Sequence, residues 1–254
     1  MSVTVVVAVK VLEYNMQNYW QHNVLPIIPD RVNLVTHWSG SDNEENFKRN
    51  PNPRYTKESI IYQYNSLGYR SREIDLSCSK PSIICLGCSF TEGVGVNYKD
   101  SWPAHIEQAF PDHNVYNFGT RSTSGDYIAR ALYNIGNLLN TSIVFILWPE
   151  MFRYEIYHDD SIGYILPNQK LVKDHNSYHY TPDTLTDSNF YNLRQKNIAI
   201  INLLKMLYNY QVIEYNPQEL KKMYPPGRDS HPGELWHTTI AKIFLEKYNV
   251  LPKI

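Results

Sequence analysis

Four short apolar runs set the limits on what this chain can fold into. They are Ser82–Gly87 (SIICLG), Val115–Phe118 (VYNF), Ser142–Trp148 (SIVFILW) and Gln211–Tyr215 (QVIEY). A run of strand length with little or no polar alternation reads as a strand buried on both faces. The stretches between them carry a helical period. Ser101-Trp102-Pro103 opens one helix, with Ser101 at the N-cap and Pro103 in the first turn, where its missing N–H costs nothing. Ile128, Leu132, Ile135 and Leu139 fall on one face of a helix over Asp126–Leu139, and Ser188–Tyr208 and Gly233–Tyr248 supply two more. The order β-α-β-α-β-α-β-α implies a mostly parallel sheet with helices on both faces, a three-layer α/β/α class. In such sheets, sites form beyond the carboxyl ends of the strands.

The flanking regions differ in character. Residues 1–79 hold Pro26, Pro29, Pro51, Pro53 and a polar stretch from Ser39 to Asn52. They read as a loop-rich extension on an α/β domain spanning 80–254. An insert at about 150–187 interrupts that domain. A hairpin is expected there around Pro167-Asn168, between GYIL and KLV.

Composition removes several function classes. With 24 basic and 25 acidic residues the net charge is −1, so no strong field steers the chain toward nucleic acid or anionic lipid. Lys221, Lys222 and Arg228 come nearest to a basic cluster and read as a solvated face. The apolar run Val3–Val11 is too short to span a bilayer and lacks the flanks of a signal peptide; it reads as a strand, and the cytoplasm is the favoured location. Cys78, Cys85 and Cys88 form no disulfide framework, and Cys85-x-x-Cys88 falls on a buried strand, where both read as small hydrophobes. His158, Asp159, Asp160, Asp174, His175 and His179 are metal-ligand types, but their spacing follows no metal motif and they read as a polar surface loop. No metal or cofactor is expected. The 21 tyrosines lean slightly toward a carbohydrate-bearing ligand.

Chemistry concentrates in two segments. Gly87-Cys88-Ser89-Phe90-Thr91-Glu92-Gly93 puts a serine directly after the first core strand, between glycines that permit a tight turn. A serine so placed ordinarily caps a helix; as a nucleophile it needs a base. Gly227-Arg228-Asp229-Ser230-His231-Pro232-Gly233, ahead of the last helix, offers an imidazole with a carboxylate two residues before it. Such a carboxylate can fix the tautomer of the ring and stabilise the imidazolium. Glu150, Arg153 and Glu155, after the third strand, sit where they would line a pocket or form ion pairs. His237 falls on the last helix.

The segments IICLGCSFTEGVGV and GRDSHPG resemble the first and last blocks of the SGNH hydrolase superfamily, the GDSL-like esterases and lipases. Trp102-Pro103 and the lead-in Tyr64-Asn65-Ser66-Leu67-Gly68-Tyr69-Arg70 are similar to the family as well, and the resemblance covers roughly residues 62–248. The GxSxG elbow of the α/β-hydrolases is absent. The resemblance implies a flavodoxin-like fold, with Ser89 as nucleophile, His231 as general base and Asp229 as its partner. It implies a small-molecule or carbohydrate ester as substrate, with neither nucleic acid nor membrane as partner. Asn117, Gly119 and Ser122 match the second block and Arg153 the region of the third, and these would form the oxyanion pocket. Three departures stand out. Ser122 occupies the position of a glycine, Met151 falls near that of the oxyanion asparagine, and Asp229 is one residue closer to His231 than is usual. An acyltransferase with the same nucleophile and a non-catalytic module on this fold are the alternatives.

Overall fold

The computed structural model describes residues 26–158, 161–165, 187–217, 220 and 223–250. The four apolar runs form one parallel sheet. Its strands are β3 (Ser82–Gly87), β4 (Asn114–Asn117), β5 (Thr141–Leu147) and β8 (Gln211–Tyr215), in the spatial order β4-β3-β5-β8. β3 is central and buried along its whole length, with Ile84 beside Tyr116 on one side and Val144 on the other. That position explains the unbroken apolar run: neither face meets water.

Alternate residues of each strand point to opposite faces, so one sheet supplies two cores. Ile84, Leu86, Tyr116, Phe118, Val144 and Ile146 pack on one face beneath α4 (Gly125–Ile135) and α5 (Asp187–Tyr208). Ile83, Cys85, Val115, Phe145 and Ile213 pack on the other beneath α3 (Trp102–Ala109) and α6 (Glu234–Val250). The three layers are those expected from the sequence. Cys85 and Cys88 are buried there as free thiols, and burial pushes the Cys85 thiol well above its ordinary range.

Local details differ from expectation. Ser101 does stand at the N-cap of α3, but its hydroxyl donates to the carbonyl of Tyr98 (2.6 Å) and caps no helical N–H. α4 ends at Ile135, short of Leu139, and its working cap is Ser124, whose Oγ accepts from the Asp126 N–H (3.1 Å). The hairpin is β6 (Tyr154–His158) against β7 (Ser161–Ile165), with His158 opposite Ser161. GYIL therefore pairs backwards, with the segment before it; Pro167-Asn168 and KLV lie outside the described residues. Of the His/Asp set in this insert only His158 is described, at the end of β6. Among the described residues no group of three or more His, Cys, Asp or Glu could hold a metal ion, and no helix is long and apolar enough to cross a membrane.

Residues 26–79 wrap the carboxyl end and the β4 edge of the sheet. They hold two short antiparallel strands, β1 (Val35–Thr36) and β2 (Tyr62–Gln63), and the helix α1 (Glu44–Arg49). Ser71 Oγ accepts from the N–H of Asn117 on β4 (3.0 Å), and Arg72 donates to Asn114 Oδ1 (3.1 Å).

Candidate active site

In chain order the core strands run first β3, then β4, then β5, so the connections from β3 and β5 leave in opposite directions. The crevice between their carboxyl ends is where open α/β sheets hold ligands. Ser89 opens the single-turn helix α2 (Ser89–Glu92) directly after β3. Gly93 ends it in the left-handed region (φ 80°), and its N–H and that of Val94 donate to the Ser89 carbonyl (3.0 Å each).

The second segment docks by backbone contact. The N–H of Arg228 donates to the carbonyl of Gly95 (2.8 Å), and the N–H of Gly227 donates to the carbonyl of His231 (2.8 Å). Both glycines are required by this approach. A methyl on Gly227 would sit 2.4 Å from the Gly95 carbonyl oxygen. One on Gly95, whose φ is 87°, would sit 2.6 Å from Asp229 Oδ1. Gly95→Ala is therefore expected to lower stability by about 1–3 kcal/mol through backbone strain. The clash should also push the Asp229 carboxylate off His231. A thermal melt of the variant measures the first effect, and the proton resonance of His231 Nδ1–H the second.

The docking brings together residues from opposite ends of the core. His231 Nε2 lies 2.9 Å from Ser89 Oγ, and its Nδ1 lies 2.7 Å from Asp229 Oδ2. Asp229 Oδ1 accepts from the His231 backbone N–H (3.0 Å), so the short two-residue spacing closes a turn that fixes ring and carboxylate together. Burial alone raises the Asp229 carboxyl; hydrogen bonds and charge from His231, with a hydrogen bond from Ser41, outweigh it and hold the group below its ordinary 3.8. An ionised carboxylate only accepts, so Nδ1 carries the proton and Nε2 turns its lone pair to the Ser89 hydroxyl. Phe90 meets the imidazole edge to face (5.6 Å between centroids) and packs in the same way on Trp236 (5.4 Å), which sets the ring plane.

The second-block residues divide. Asn117 is fully buried; its amide donates to the Thr91 carbonyl (2.9 Å), and its Oδ1 accepts the N–H of Gly119 (2.9 Å). These groups brace the β4–α4 loop against α2 and engage the Gly119 N–H and one N–H of the Asn117 amide. Ser122 adopts φ 65°, a left-handed conformation that suits the glycine it replaces. Among the described residues no hydrogen bond engages the backbone N–H of Ser89 or of Ser122. After β5, the Met151 side chain offers no donor. Arg153 and Glu150 pair (3.1 Å) and line a small recess with Cys88, Phe90, Trp148, Pro149 and Pro217. Arg153 Nε is buried there without a partner among the described residues.

Three other positions depart from, or refine, the sequence reading. Arg228 is no solvated charge: it is buried, doubly bonded to Asp42 (Nε–Oδ1 2.8 Å, Nη2–Oδ2 2.8 Å) and stacked over Trp38 (4.2 Å). Lys221 and Lys222 lie outside the described residues. Glu155 pairs with Arg130 (2.7 Å) beneath the surface rather than lining a pocket. His237 is buried, accepts the Trp102 N–H (3.3 Å) and is pushed down to about 3 by burial, so it is neutral and structural. Sequence reading passed over Ser41, Asp42 and Glu92. Each acts through partners distant in sequence, and no local signal marked the first two. Glu92 did carry one, as a charge inside an apolar turn.

No family model and no curated protein matches this chain. Among solved structures it is similar to a lipolytic protein of the G-D-S-L family from Veillonella parvula DSM 2008, at 16% identity over 67% of this chain and 100% of that one, with a TM-score of 0.39. A putative lipolytic protein of the same family from Desulfitobacterium hafniense DCB-2 matches at 11% identity over 65% and 98%, with a TM-score of 0.38. A two-domain esterase active on acetylated mannans matches at 13% identity over 67% of this chain and 50% of its own length, with a TM-score of 0.35.

Proposed function

We propose that this chain is a serine ester hydrolase in which Ser89 is the nucleophile, His231 the general base and Asp229 the group that orients it. One observation carries the reading: the unbroken hydrogen-bond line from Ser89 Oγ through both nitrogens of His231 to Asp229, at 2.9 and 2.7 Å. Ser89 Oγ attacks the acyl carbonyl carbon as Nε2 takes its proton. The imidazolium so formed is stabilised by the buried carboxylate and returns the proton to the departing alcohol oxygen. Water, deprotonated by the same nitrogen, then attacks the acyl carbon, and that proton passes to Ser89 Oγ as the acid leaves. The unengaged N–H groups of Ser89 and Ser122 support an oxyanion site made of backbone donors. With Met151 in place of a side-chain donor, that site is one donor poorer, a difference worth about 10²–10³ in rate.

The test is hydrolysis of a short activated ester together with labelling by an organophosphonate, the modified peptide being identified by mass spectrometry. Turnover with the label on Ser89 is the expected result. Turnover that requires an added alcohol acceptor would move the reading to an acyltransferase. Neither turnover nor label would leave a binding module on this fold.

A further inference from the structure

The Asp229–His231 pair has a third contact that comes from outside the α/β core. Ser41 Oγ lies 2.8 Å from Asp229 Oδ2 and 3.3 Å from His231 Nδ1. An ionised carboxylate cannot donate, so the Ser41 hydroxyl is the donor. We propose that Ser41 is a positioning residue of the site: it holds the Asp229 carboxylate against the imidazole from the solvent side, so that the line to Ser89 stays closed. This rests on the hydrolase reading above.

Three features argue that the contact is built. Neighbouring residues pair with neighbouring residues: Asp42 with Arg228, and Ser41 with Asp229. The Asp42–Arg228 ion pair is buried at 1% and 0% exposure, so it fixes that register. Asp42 is itself held by the Tyr62 hydroxyl (2.5 Å), which in turn accepts the N–H of Gly95 (2.8 Å). The strap thus grips both sides of the Gly95–Arg228 docking point. Secondly, the Ser41 backbone is pinned. Ser39 and Asp42 exchange backbone hydrogen bonds (2.8 and 3.1 Å), and Asn46 donates to the Ser41 carbonyl (2.9 Å). Little freedom remains to be lost when the hydroxyl binds. Thirdly, Ser41, Asp229 and Ser230 share an open cavity of about 540 Å³ with Arg49, Asn50 and Asn52. Without the hydroxyl, water from that cavity would reach Oδ2, and the Asp229–His231 bond would be formed in competition with solvent.

Ser41→Ala and Ser41→Thr test the assignment. Ser41 is exposed and its hydroxyl bonds only at the rim of the site, so both variants should stay folded, with at most a small drop in the thermal midpoint of Ser41→Ala. In Ser41→Ala kcat should fall about tenfold with KM unchanged, and Ser41→Thr should recover most of it. A second readout needs no turnover: the low-field proton resonance of His231 Nδ1–H should be visible in the wild type and in Ser41→Thr, and broadened by exchange with water in Ser41→Ala. Unchanged kcat and an unchanged resonance in Ser41→Ala would overturn the proposal. So would a rise in KM alone, which would make Ser41 a substrate contact. If the wild type turns over no ester, the hydrolase reading fails, and the resonance alone decides whether Ser41 holds the pair.

Discussion

Ser89→Ala and His231→Ala are each expected to lower kcat/KM for an activated ester by roughly 10³-fold or more, and the double variant by little beyond the worse single one. Non-additivity is the sharper part of the expectation. In the proposed mechanism the nucleophile and its base act in one step, so removing either removes the step. Any residual rate then belongs to the backbone donors and to substrate positioning. Neither substitution should unfold the protein. The Ser89 hydroxyl makes one hydrogen bond, worth about 1 kcal/mol. His231 loses that bond, its contact with Asp229 and an edge contact with Phe90, all at the mouth of the site. Rates measured beside thermal melts separate chemistry from folding. Equal turnover in wild type and Ser89→Ala would end the serine mechanism.

The largest effect on stability is expected at Glu92. This carboxylate is completely buried in α2 and accepts from Arg31 (3.2 Å), Ser39 (2.9 Å), Tyr64 (2.8 Å) and the backbone N–H of Arg121 (2.7 Å). It joins the strap of residues 26–79 to the helix carrying Ser89 and to the loop carrying Ser122. Glu92→Ala leaves the Arg31 guanidinium buried without its main counter-charge and should cost about 3–5 kcal/mol, read by urea denaturation. That is a large part of the stability of an ordinary domain. The pH dependence has a definite sign. Burial raises the Glu92 carboxyl, but the charges of Arg31 and Arg121 and the hydroxyls of Tyr64 and Ser39 outweigh it, and the group lies below its ordinary 4.5. A depressed carboxylate contributes its stability in full above the unfolded value and loses it as pH falls through the folded one. The wild type should therefore lose stability below 4.5, and Glu92→Gln should be flatter there. A Glu92→Gln curve as steep as the wild type's would place the acid sensitivity elsewhere.

What the sequence made legible follows the reach of each signal. β3 and β5 could be read because a strand covered on both faces must be apolar throughout, which is a local property. Ser89, Asp229 and His231 could be picked out because each sits in a short segment whose glycines and charges announce a turn. Their meeting could not be read from either segment alone. Arg228 illustrates the limit: beside Lys221 and Lys222 it reads as a surface charge, and only Asp42, 186 positions away, makes it a core residue. Ser41 was hidden for the same reason. The pairing of β6 with β7 was missed for a different reason. GYIL has the pattern of a strand, but a strand does not specify its partner, and Pro167-Asn168 was the stronger turn signal. Asn117 and Gly119 matched a block by order, yet their polar groups are turned to bracing the loop.

The docking point between Gly95 and Arg228 also has a consequence for the time at which the protein becomes competent. Ser89 and His231 are separated by 142 positions, so their meeting closes a long loop. Non-local closure of this kind comes late in folding, because its entropic cost precedes its reward. A chain emerging from the ribosome would present Ser89 long before the imidazole proposed to activate it. A chain cut short ahead of Gly227 would keep all four described strands of the sheet and still lack His231.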